Sequence, residues 1–142
     1  MARVLSVKAP GRICFFGDHQ DYLGLPVIAA TIDRYIYMEA SPKEEKTLSI
    51  ELLDLDQQEN ISLDESFDLL APRDYFRSVI RVLKRAGIHL QQGYYVKIHG
   101  DIPIEAGLSS SSAMVVAWVR LLLKLAQPQH CYSDEQIAQW SY

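Results

Sequence analysis

Apolar and polar residues alternate over several short stretches in the first two thirds of the chain. Alternation with a period of two is typical of β-strands that have one buried face. The pattern predicts five strands, at residues 3–7, 27–40, 47–53, 60–63 and 94–99. Proline, glycine and charged residues interrupt it at 9–11 and 41–46, which predicts turns after the first two strands.

Helical spacing predicts a first helix over residues 74–86, with Gly87 as its stop signal. The expected buried stripe of that helix consists of Tyr75, Val79, Val82, Leu83 and Ala86. Residues 113–126 are apolar on nearly every side, which predicts a buried central helix. Ser133, followed three residues later by Gln136, is a capping-box pattern and opens a last helix.

Strands and helices are mixed without regular β-α-β alternation, which favours an α+β fold with a mixed sheet over a doubly wound one. The 142 residues contain no linker, so the pattern predicts one domain over residues 1–142. The sequence ends inside the predicted last helix without a C-cap, and we expect a domain that is truncated.

Charge and composition exclude several classes of protein. Fourteen basic and 18 acidic residues give a net charge of −4, which argues against binding to nucleic acid. No apolar run is long enough for a signal peptide or a membrane span. Cys14 and Cys131 form no CxxC pair and are expected to be reduced thiols. The sequence predicts a cytoplasmic protein without nucleic-acid or membrane partners.

A glycine-serine segment precedes the apolar helix. Gly107 allows the backbone to approach a ligand closely, and four serines follow at residues 109–112. Free N–H groups and the dipole at a helix start favour an anion, most naturally a phosphate. A serine-rich helix cap is the alternative, although a single N-cap hydroxyl satisfies only one donor. The segment is not a Walker A motif, because no Gly-Lys-Ser/Thr follows.

A second polar segment, residues 8–24, combines two carboxylates and an imidazole with two cations. Carboxylates there suit a polyhydroxylated ligand, since they accept hydrogen bonds from neighbouring hydroxyls. Lys8 and Arg12 could stabilise charge on a transferring phosphoryl group. A surface turn rich in Asp and Gly is the alternative interpretation. The other histidines are scattered, which argues against a zinc site, and no G-x-S-x-G elbow supports hydrolysis.

Together the two segments resemble a known family. Residues 8–22, KAPGRICFFGDHQDY, resemble motif 1 of the GHMP kinases and in particular the galactokinase signature. Residues 103–111, PIEAGLSSS, resemble motif 2, whose loop wraps the phosphates of ATP. The order and separation of the motifs are those of the family. The resemblance implies the N-terminal domain of a two-domain kinase, similar to the ribosomal protein S5 domain 2-like fold.

What the resemblance implies is phosphoryl transfer from ATP, with Mg²⁺, to a hydroxyl of a small molecule, most closely a sugar. By motif position Arg12 would support catalysis, and Lys8 is a second catalytic candidate. The sugar would be lined by Asp18, His19, Asp21 and Tyr22. ATP would be held by Gly107, Leu108, Ser109, Ser110, Ser111 and Ser112, with the Ser111 hydroxyl on Mg²⁺.

Departures from the family pattern leave the acceptor open. Asp18 stands where galactokinases usually have Glu, Gln20 replaces a common Thr, and Ser112 occupies a usual Ala. The Asp21-Tyr22 pair favours a sugar over mevalonate, yet another acceptor or a non-catalytic sugar and ATP sensor stays possible. In the family the catalytic Asp, the acidic Mg²⁺ ligand and the third motif follow motif 2. We therefore expect the C-terminal domain of the same kinase as partner, and no activity from these residues alone.

Overall fold

The computed structural model describes residues 3–17, 23–68, 70–102, 110–127 and 129–141. These residues form one five-stranded sheet and three α-helices, which confirms the predicted α+β class. The strands are β1 (Leu5–Phe16), β2 (Ile28–Lys43), β3 (Thr47–Leu52), β4 (Gln57–Ser62) and β5 (Gly93–Gly100). The helices are α1 (Tyr75–Arg85), α2 (Ser110–Ala126) and α3 (Asp134–Ser141).

The sheet has the strand order β1-β2-β5-β3-β4, so β1 and β4 are its outer strands. All neighbours run antiparallel except β3 and β5, which are parallel, and the sheet is therefore mixed as predicted. Side chains alternate between a polar open face and an apolar face that is covered by helices. The buried face of the three central strands carries Met38, Ala40, Leu48, Ile50, Val96 and Ile98.

Helix α2 covers the apolar face of the sheet, where it packs on β1 and β2 and contacts α1 and α3. Trp118 is 1% exposed, and its Nε1–H donates to the carbonyl oxygen of Phe76 at 3.1 Å. The two rings meet edge to face with centroids 5.1 Å apart. The prediction of a buried central helix is confirmed, although the helix begins at Ser110 rather than at 113.

The turn predicted at 9–11 is wrong, and the turn predicted at 41–46 is wrong for residues 41–43, because β1 continues through Pro10 and β2 through Pro42. Proline has no N–H to donate, and strands tolerate it where no neighbour needs that donor. Pro10 lies on an outer strand. Pro42 pairs with Tyr94 of β5, whereas the pairing of β2 with β1 has already ended at Ala40. The chain bends only at residues 44–46.

Strand β4 begins at Gln57, three residues before its predicted start. A short 3-10 helix, Leu53–Leu55, follows β3 directly, and Asp56 after it has a φ of 50°. Aspartate is among the residues that reach this left-handed region at lowest cost. The chain therefore reverses within four residues and pairs with β3 from Gln57 onward.

Both predicted helix starts outside α2 are capped as their sequences indicate. The Asp74 carboxylate accepts a hydrogen bond from the Arg77 N–H at 3.2 Å, and Ser133 Oγ accepts one from the Gln136 N–H at 3.2 Å. After α1, Gly87 has a φ of 81°, the conformation expected of a C-terminal stop.

The buried face of α1 differs from the predicted stripe. Phe76, Val79, Ile80 and Leu83 are buried, whereas Tyr75 is 38% exposed. The contact of Phe76 with Trp118 sets this orientation, because it turns the stripe one residue away from the predicted one. The stripe prediction holds for Val79 and Leu83 alone.

Arg77 joins α1 to β4 and to the loop after it. Its guanidinium pairs with Glu59, with Glu65 at 2.8 Å and with Asp74 at 3.1 Å. Partial burial acts to lower the pKa of Arg77, but the hydrogen bonds that it donates to Glu65, Glu59 and Asp74 outweigh burial and raise the pKa above the usual value. Three carboxylates thus share one partly buried cation.

We expect Arg77→Met to lower the free energy of unfolding by about 1–3 kcal/mol, because the three carboxylates would lose their shared partner. Arg85→Met, an exposed arginine of the same helix, is the matched control and should change it by less than about 0.5 kcal/mol. Urea denaturation of both variants checks this. Equal losses would show that the ion pairs contribute nothing beyond net charge.

Candidate functional site

A cleft of about 250 Å³ opens at the N-terminal end of α2. It lies between the first turn of that helix, the end of β5 and the 3-10 helix that follows β3. Ser110 and Ser111 line its helical side. Most of its surface is apolar, and the side chains responsible are Ile36, Leu52, Leu55, Ile98, Ile102 and Met114. We call this space the apolar cleft.

A groove of about 460 Å³ lies on the other side of the same helical turn, between α1, α2 and α3. Ser111 and Ser112 line it from α2, and Trp140 and Ser141 line it from α3. From α1 the lining includes Arg81, whose Nε is buried and has no hydrogen-bond partner in the described part of the chain. We call this space the helix groove. Ser111 borders both it and the apolar cleft.

The first turn of α2 places three serines between these two spaces. The first four N–H groups of a helix have no partner within the helix, and its dipole is positive at that end. Helix α2 begins at Ser110, so Ser110, Ser111 and Ser112 belong to its first turn. Gly107, Leu108 and Ser109 lie outside the described residues.

Beyond the sheet, β1 and β2 continue as a two-stranded ribbon. Pairing between β2 and β5 ends at Ile36 and Gly100, while residues 12–16 of β1 pair with residues 28–31 of β2. The register shifts twice along this hairpin, once opposite Gly11 and once at Phe15. Such irregularities bend a strand and redirect its side chains. We call this segment the β1–β2 ribbon.

The β1–β2 ribbon carries Arg12, which is exposed and has an interaction partner. Asp18, His19, Asp21 and Tyr22 follow β1 in sequence and lie outside the described residues. Gly17, which precedes them, has a φ of 86°, and a Cβ there would lie 2.7 Å from the carbonyl oxygen of Pro26. Only glycine fits at this position.

Several large apolar side chains are exposed on the ribbon and on the segment that leads into β2. Phe16 is 70% exposed and Phe15 59%. The other large apolar residues exposed there are Ile13, Leu23, Leu25, Val27 and Ile28. Contiguous exposed apolar patches are uncommon on soluble monomers and mark surfaces that another element covers.

Lys8 lies on the open face of the sheet. Its neighbour Ala9 is buried on the opposite face, the one on which α2 packs. Lys8 Nζ lies 4.3 Å from the ring centroid of Tyr35, and Tyr37 stacks on His99 at 5.1 Å. The structure thus places Lys8 on the face away from Ser110, Ser111 and Ser112.

Two aspartates that the sequence analysis did not single out connect the strands around the apolar cleft. Asp54 Oδ2 accepts a hydrogen bond from the Gly100 N–H at 2.7 Å. Asp101 Oδ1 accepts one from the Tyr35 N–H at 2.6 Å, and the Asp101 N–H donates to the Tyr35 carbonyl at 3.0 Å. The signal available in the sequence was an aspartate directly between a predicted strand and motif 2.

Gly100 lies at the closest approach of β5 to β2. A Cβ there would lie 2.5 Å from Ile36 Cδ1 and 3.0 Å from the Tyr35 carbonyl oxygen. The missing side chain allows the last pair of the β2–β5 ladder to form beside the apolar cleft.

Metal ligands are sparse in this region. Across the described ranges, no three His, Cys, Asp or Glu side chains come together in a way that could hold a metal ion. The hydroxyl of Ser111 is the side-chain oxygen that borders both spaces at the start of α2. Mg²⁺ usually keeps several waters and takes few protein ligands beside substrate phosphates. One serine hydroxyl is compatible with that mode of binding.

None of the helices in the described residues is both long and apolar enough to cross a membrane. Helix α2, the most apolar of them, spans 17 residues and exposes Arg120 and Lys124.

Both signature segments match known families. Residues 2–42 match the galactokinase galactose-binding signature, and residues 74–142 match the GHMP kinases N terminal domain. A galactokinase of Roseiflexus sp. (strain RS-1) is 36% identical to this chain over 112 residues, which are 78% of this chain and 28% of that protein. The chain spans less than a third of the length of the curated relatives it matches.

Solved structures share the fold over almost the whole chain. Lactococcus lactis galactokinase, determined in complex with galactose, has a TM-score of 0.83 and 27% identity over 98% of this chain and 36% of that one. Methanococcus jannaschii mevalonate kinase has a TM-score of 0.84 and 22% identity over 99% of this chain and 45% of that one, a likeness in fold alone. With both signatures matched and the fold shared, the chain belongs to the GHMP kinase family, whose N-terminal domain it carries together with the galactokinase signature.

Proposed function

We propose that this chain is the N-terminal domain of an ATP-dependent sugar kinase of the galactokinase type, which makes a sugar 1-phosphate. The observation that carries the proposal is the apolar cleft ending at the serine-bearing start of α2, in a chain that matches the galactose-binding signature. The apolar cleft suits the flat base of a nucleotide, and the start of α2 suits its phosphates.

The nucleotide base enters the apolar cleft, between Leu52 and Leu55 on one side and Met114 on the other. Its phosphates lie at the start of α2, where free N–H groups and the helix dipole stabilise negative charge. The serine hydroxyls of that turn add hydrogen-bond donors. In this proposal the phosphates are held by Gly107, Leu108, Ser109, Ser110, Ser111 and Ser112.

Ser111 is the residue we assign to Mg²⁺, since it borders both the apolar cleft and the helix groove. Bound Mg²⁺ neutralises charge on the phosphates and orients them. Trp140 and Ser141, at the end of α3, line the helix groove beside Ser111. The acidic metal ligand of the family is expected C-terminal to motif 2, and these two residues follow motif 2 in the chain.

The sugar binds where motif 1 leaves the sheet. Asp18, His19, Asp21 and Tyr22 belong to the segment that joins the two strands of the β1–β2 ribbon. Arg12, at the start of that ribbon, supplies positive charge to the phosphoryl group as it transfers.

Lys8 has a different part in this proposal. It lies under the Tyr35 ring on the open face of the sheet, which favours a role in packing at the root of the ribbon over contact with phosphate. A cation held over an aromatic ring contributes about 0.5–1 kcal/mol at exposed sites.

A second domain completes the site in this proposal. The exposed apolar cluster on the β1–β2 ribbon needs a covering surface, and the curated relatives are more than three times as long as the segment they share with this chain. We assign the cover to the C-terminal domain of the same kinase.

The function is tested on the complete natural polypeptide that carries this sequence, whatever its length. With ATP and Mg²⁺ it should phosphorylate galactose at the anomeric hydroxyl, measured as ADP release and by NMR of the product. Turnover of mevalonate but of no sugar would replace the acceptor assignment. Binding of galactose and ATP without turnover would identify a sensor.

The apolar cleft is tested by Leu55→Glu. A carboxylate at the cleft wall would repel the nucleotide and remove apolar contact, so the Kd for a non-hydrolysable ATP analogue should rise about tenfold or more, or about 1.4 kcal/mol. Leu53→Glu is the matched control, since Leu53 is 46% exposed on the same 3-10 helix and does not line the cleft. Calorimetry that shows equal effects would contradict this assignment.

The sugar site is tested by Asp21→Ala. In this proposal the Asp21 carboxylate accepts hydrogen bonds from two sugar hydroxyls. Its removal should weaken acceptor binding by about 2–4 kcal/mol, because hydrogen bonds to charged groups are the stronger class. Affinity for ATP should barely change, and Gln20→Ala serves as the neighbouring control. An unchanged acceptor KM and kcat in Asp21→Ala would refute the sugar-site assignment.

Residues 1–142 expressed alone should show no sugar phosphorylation and should self-associate through the exposed ribbon. Phe16→Ser should then lower the apparent mass in sizing chromatography. Tyr95→Ser, which removes an aromatic side chain 52% exposed on the open face of the sheet, should not. A monomeric parent, or sugar phosphorylation by it, would contradict the corresponding half of this prediction.

A further inference from the structure

Asp101 links the two segments that carry the family signatures. Its carboxylate accepts the Tyr35 N–H at 2.6 Å, and its own N–H donates to the Tyr35 carbonyl at 3.0 Å. Tyr35 belongs to β2, 66 residues earlier in the chain. Asp101 directly follows β5 and stands two residues before the segment 103–109 that contains most of motif 2.

Within the described residues, this link is the last connection between β2 and the strand that leads into motif 2. The β2–β5 ladder ends at the Ile36–Gly100 pair, and the two hydrogen bonds of Asp101 extend it by one further position. On the other side of Tyr35, toward the start of β2, the register of the hairpin shifts. Residues 28–31 of β2 pair there with β1 and not with β5. The direction in which the β1–β2 ribbon leaves the sheet is therefore set at Tyr35.

The hydrogen bond has properties that suit positioning rather than packing. Its acceptor is a carboxylate oxygen, a class of acceptor that makes shorter and stronger hydrogen bonds than neutral groups do. Asp101 is exposed, so its removal leaves no cavity in the core. The end of β5 has its own anchor, because the Gly100 N–H is held by Asp54 at 2.7 Å. Loss of the Asp101 carboxylate would therefore act on the ribbon and not on β5.

We infer that Asp101 is a positioning residue for phosphoryl transfer, which holds the ribbon bearing Arg12 in register with the phosphate-binding start of α2. The inference rests on the proposed function, since it assigns the acceptor to one segment and the nucleotide to the other. Each segment binds its ligand by itself, but the reaction needs both ligands at a fixed separation. Displacement by about 1 Å of a reacting group can cost on the order of 100-fold in rate.

The structural half is tested by hydrogen–deuterium exchange on the parent, Asp101→Ala and Asp101→Asn. The Tyr35 amide should exchange at least about fivefold faster in Asp101→Ala, because its acceptor is gone and local opening becomes easier. Asp101→Asn keeps an acceptor oxygen and should stay within about twofold of the parent. The amides of residues 12–16 should also exchange faster in Asp101→Ala. Unchanged exchange at Tyr35 in that variant overturns the inference.

The functional half uses the complete natural polypeptide. In Asp101→Ala we expect kcat for sugar phosphorylation to fall by about 10- to 100-fold. The Kd for the ATP analogue and the acceptor KM should change by less than about threefold, with one nucleotide bound per chain. Asp101→Asn should restore most of kcat. A merely structural defect would instead lower the binding stoichiometry together with kcat, and that result overturns the inference.

Asp64→Ala is the matched control, since Asp64 is an exposed aspartate whose carboxylate makes no hydrogen bond within the described ranges. It should leave exchange at Tyr35 and kcat at the parent level. A kcat within twofold of the parent in Asp101→Ala, or a loss that Asp101→Asn does not restore, also overturns the inference. If the parent phosphorylates no sugar, the proposed function is wrong. The exchange data then decide by themselves whether Asp101 holds the ribbon.

Discussion

Helix α2 packs on β1 and β2 and carries side chains that are almost wholly removed from water, Trp118, Val119 and Leu121 among them. Each such side chain stabilises the packed state by about 1.5–3 kcal/mol relative to exposure, so the helix has little freedom to slide or rotate. Its first turn is therefore fixed relative to the ends of β5 and β3. The position of three serine hydroxyls and of the free N–H groups follows from a contact one to three helical turns away.

The two halves of the candidate site differ in how they are held. The apolar cleft is built from the ends of central strands and the start of a buried helix, and its walls share the rigidity of the core. The β1–β2 ribbon has only two strands, and two strands by themselves are marginally stable in water. Its geometry depends on the few bonds at its root and on the surface that covers it. The apolar cleft is therefore the more rigid of the two halves.

Sequence reasoning found the elements whose signals are local. Alternation located all five strands, helical spacing located α1 and α2, and capping residues located the start of α3. The errors arose where the outcome depends on neighbours that a sequence does not display. Whether Pro10 and Pro42 end a strand depends on which side of that strand is already paired, and the buried face of α1 depends on where Trp118 lies.

The candidate site divides in the same way. The glycine-serine segment is one uninterrupted stretch of sequence, and so is motif 1. The chemistry of each could therefore be inferred from the sequence. The link between Tyr35 and Asp101 joins residues 66 positions apart and could not be predicted without the strand register. Lys8 is a different case. Neighbouring side chains of a strand point to opposite faces, and Ala9 is buried under α2, so Lys8 faces away from α2.

Pro10 has a consequence for how the molecule meets other sheets. Tyr35 directs both its N–H and its carbonyl to Asp101, so the nitrogen of Pro10, opposite it, points outward from the edge of the sheet. The outer edge of β1 thus lacks a donor midway along a 12-residue strand that would otherwise be a template for edge-to-edge addition. A continuous intermolecular sheet along the whole outer edge of β1 would therefore be interrupted at that residue.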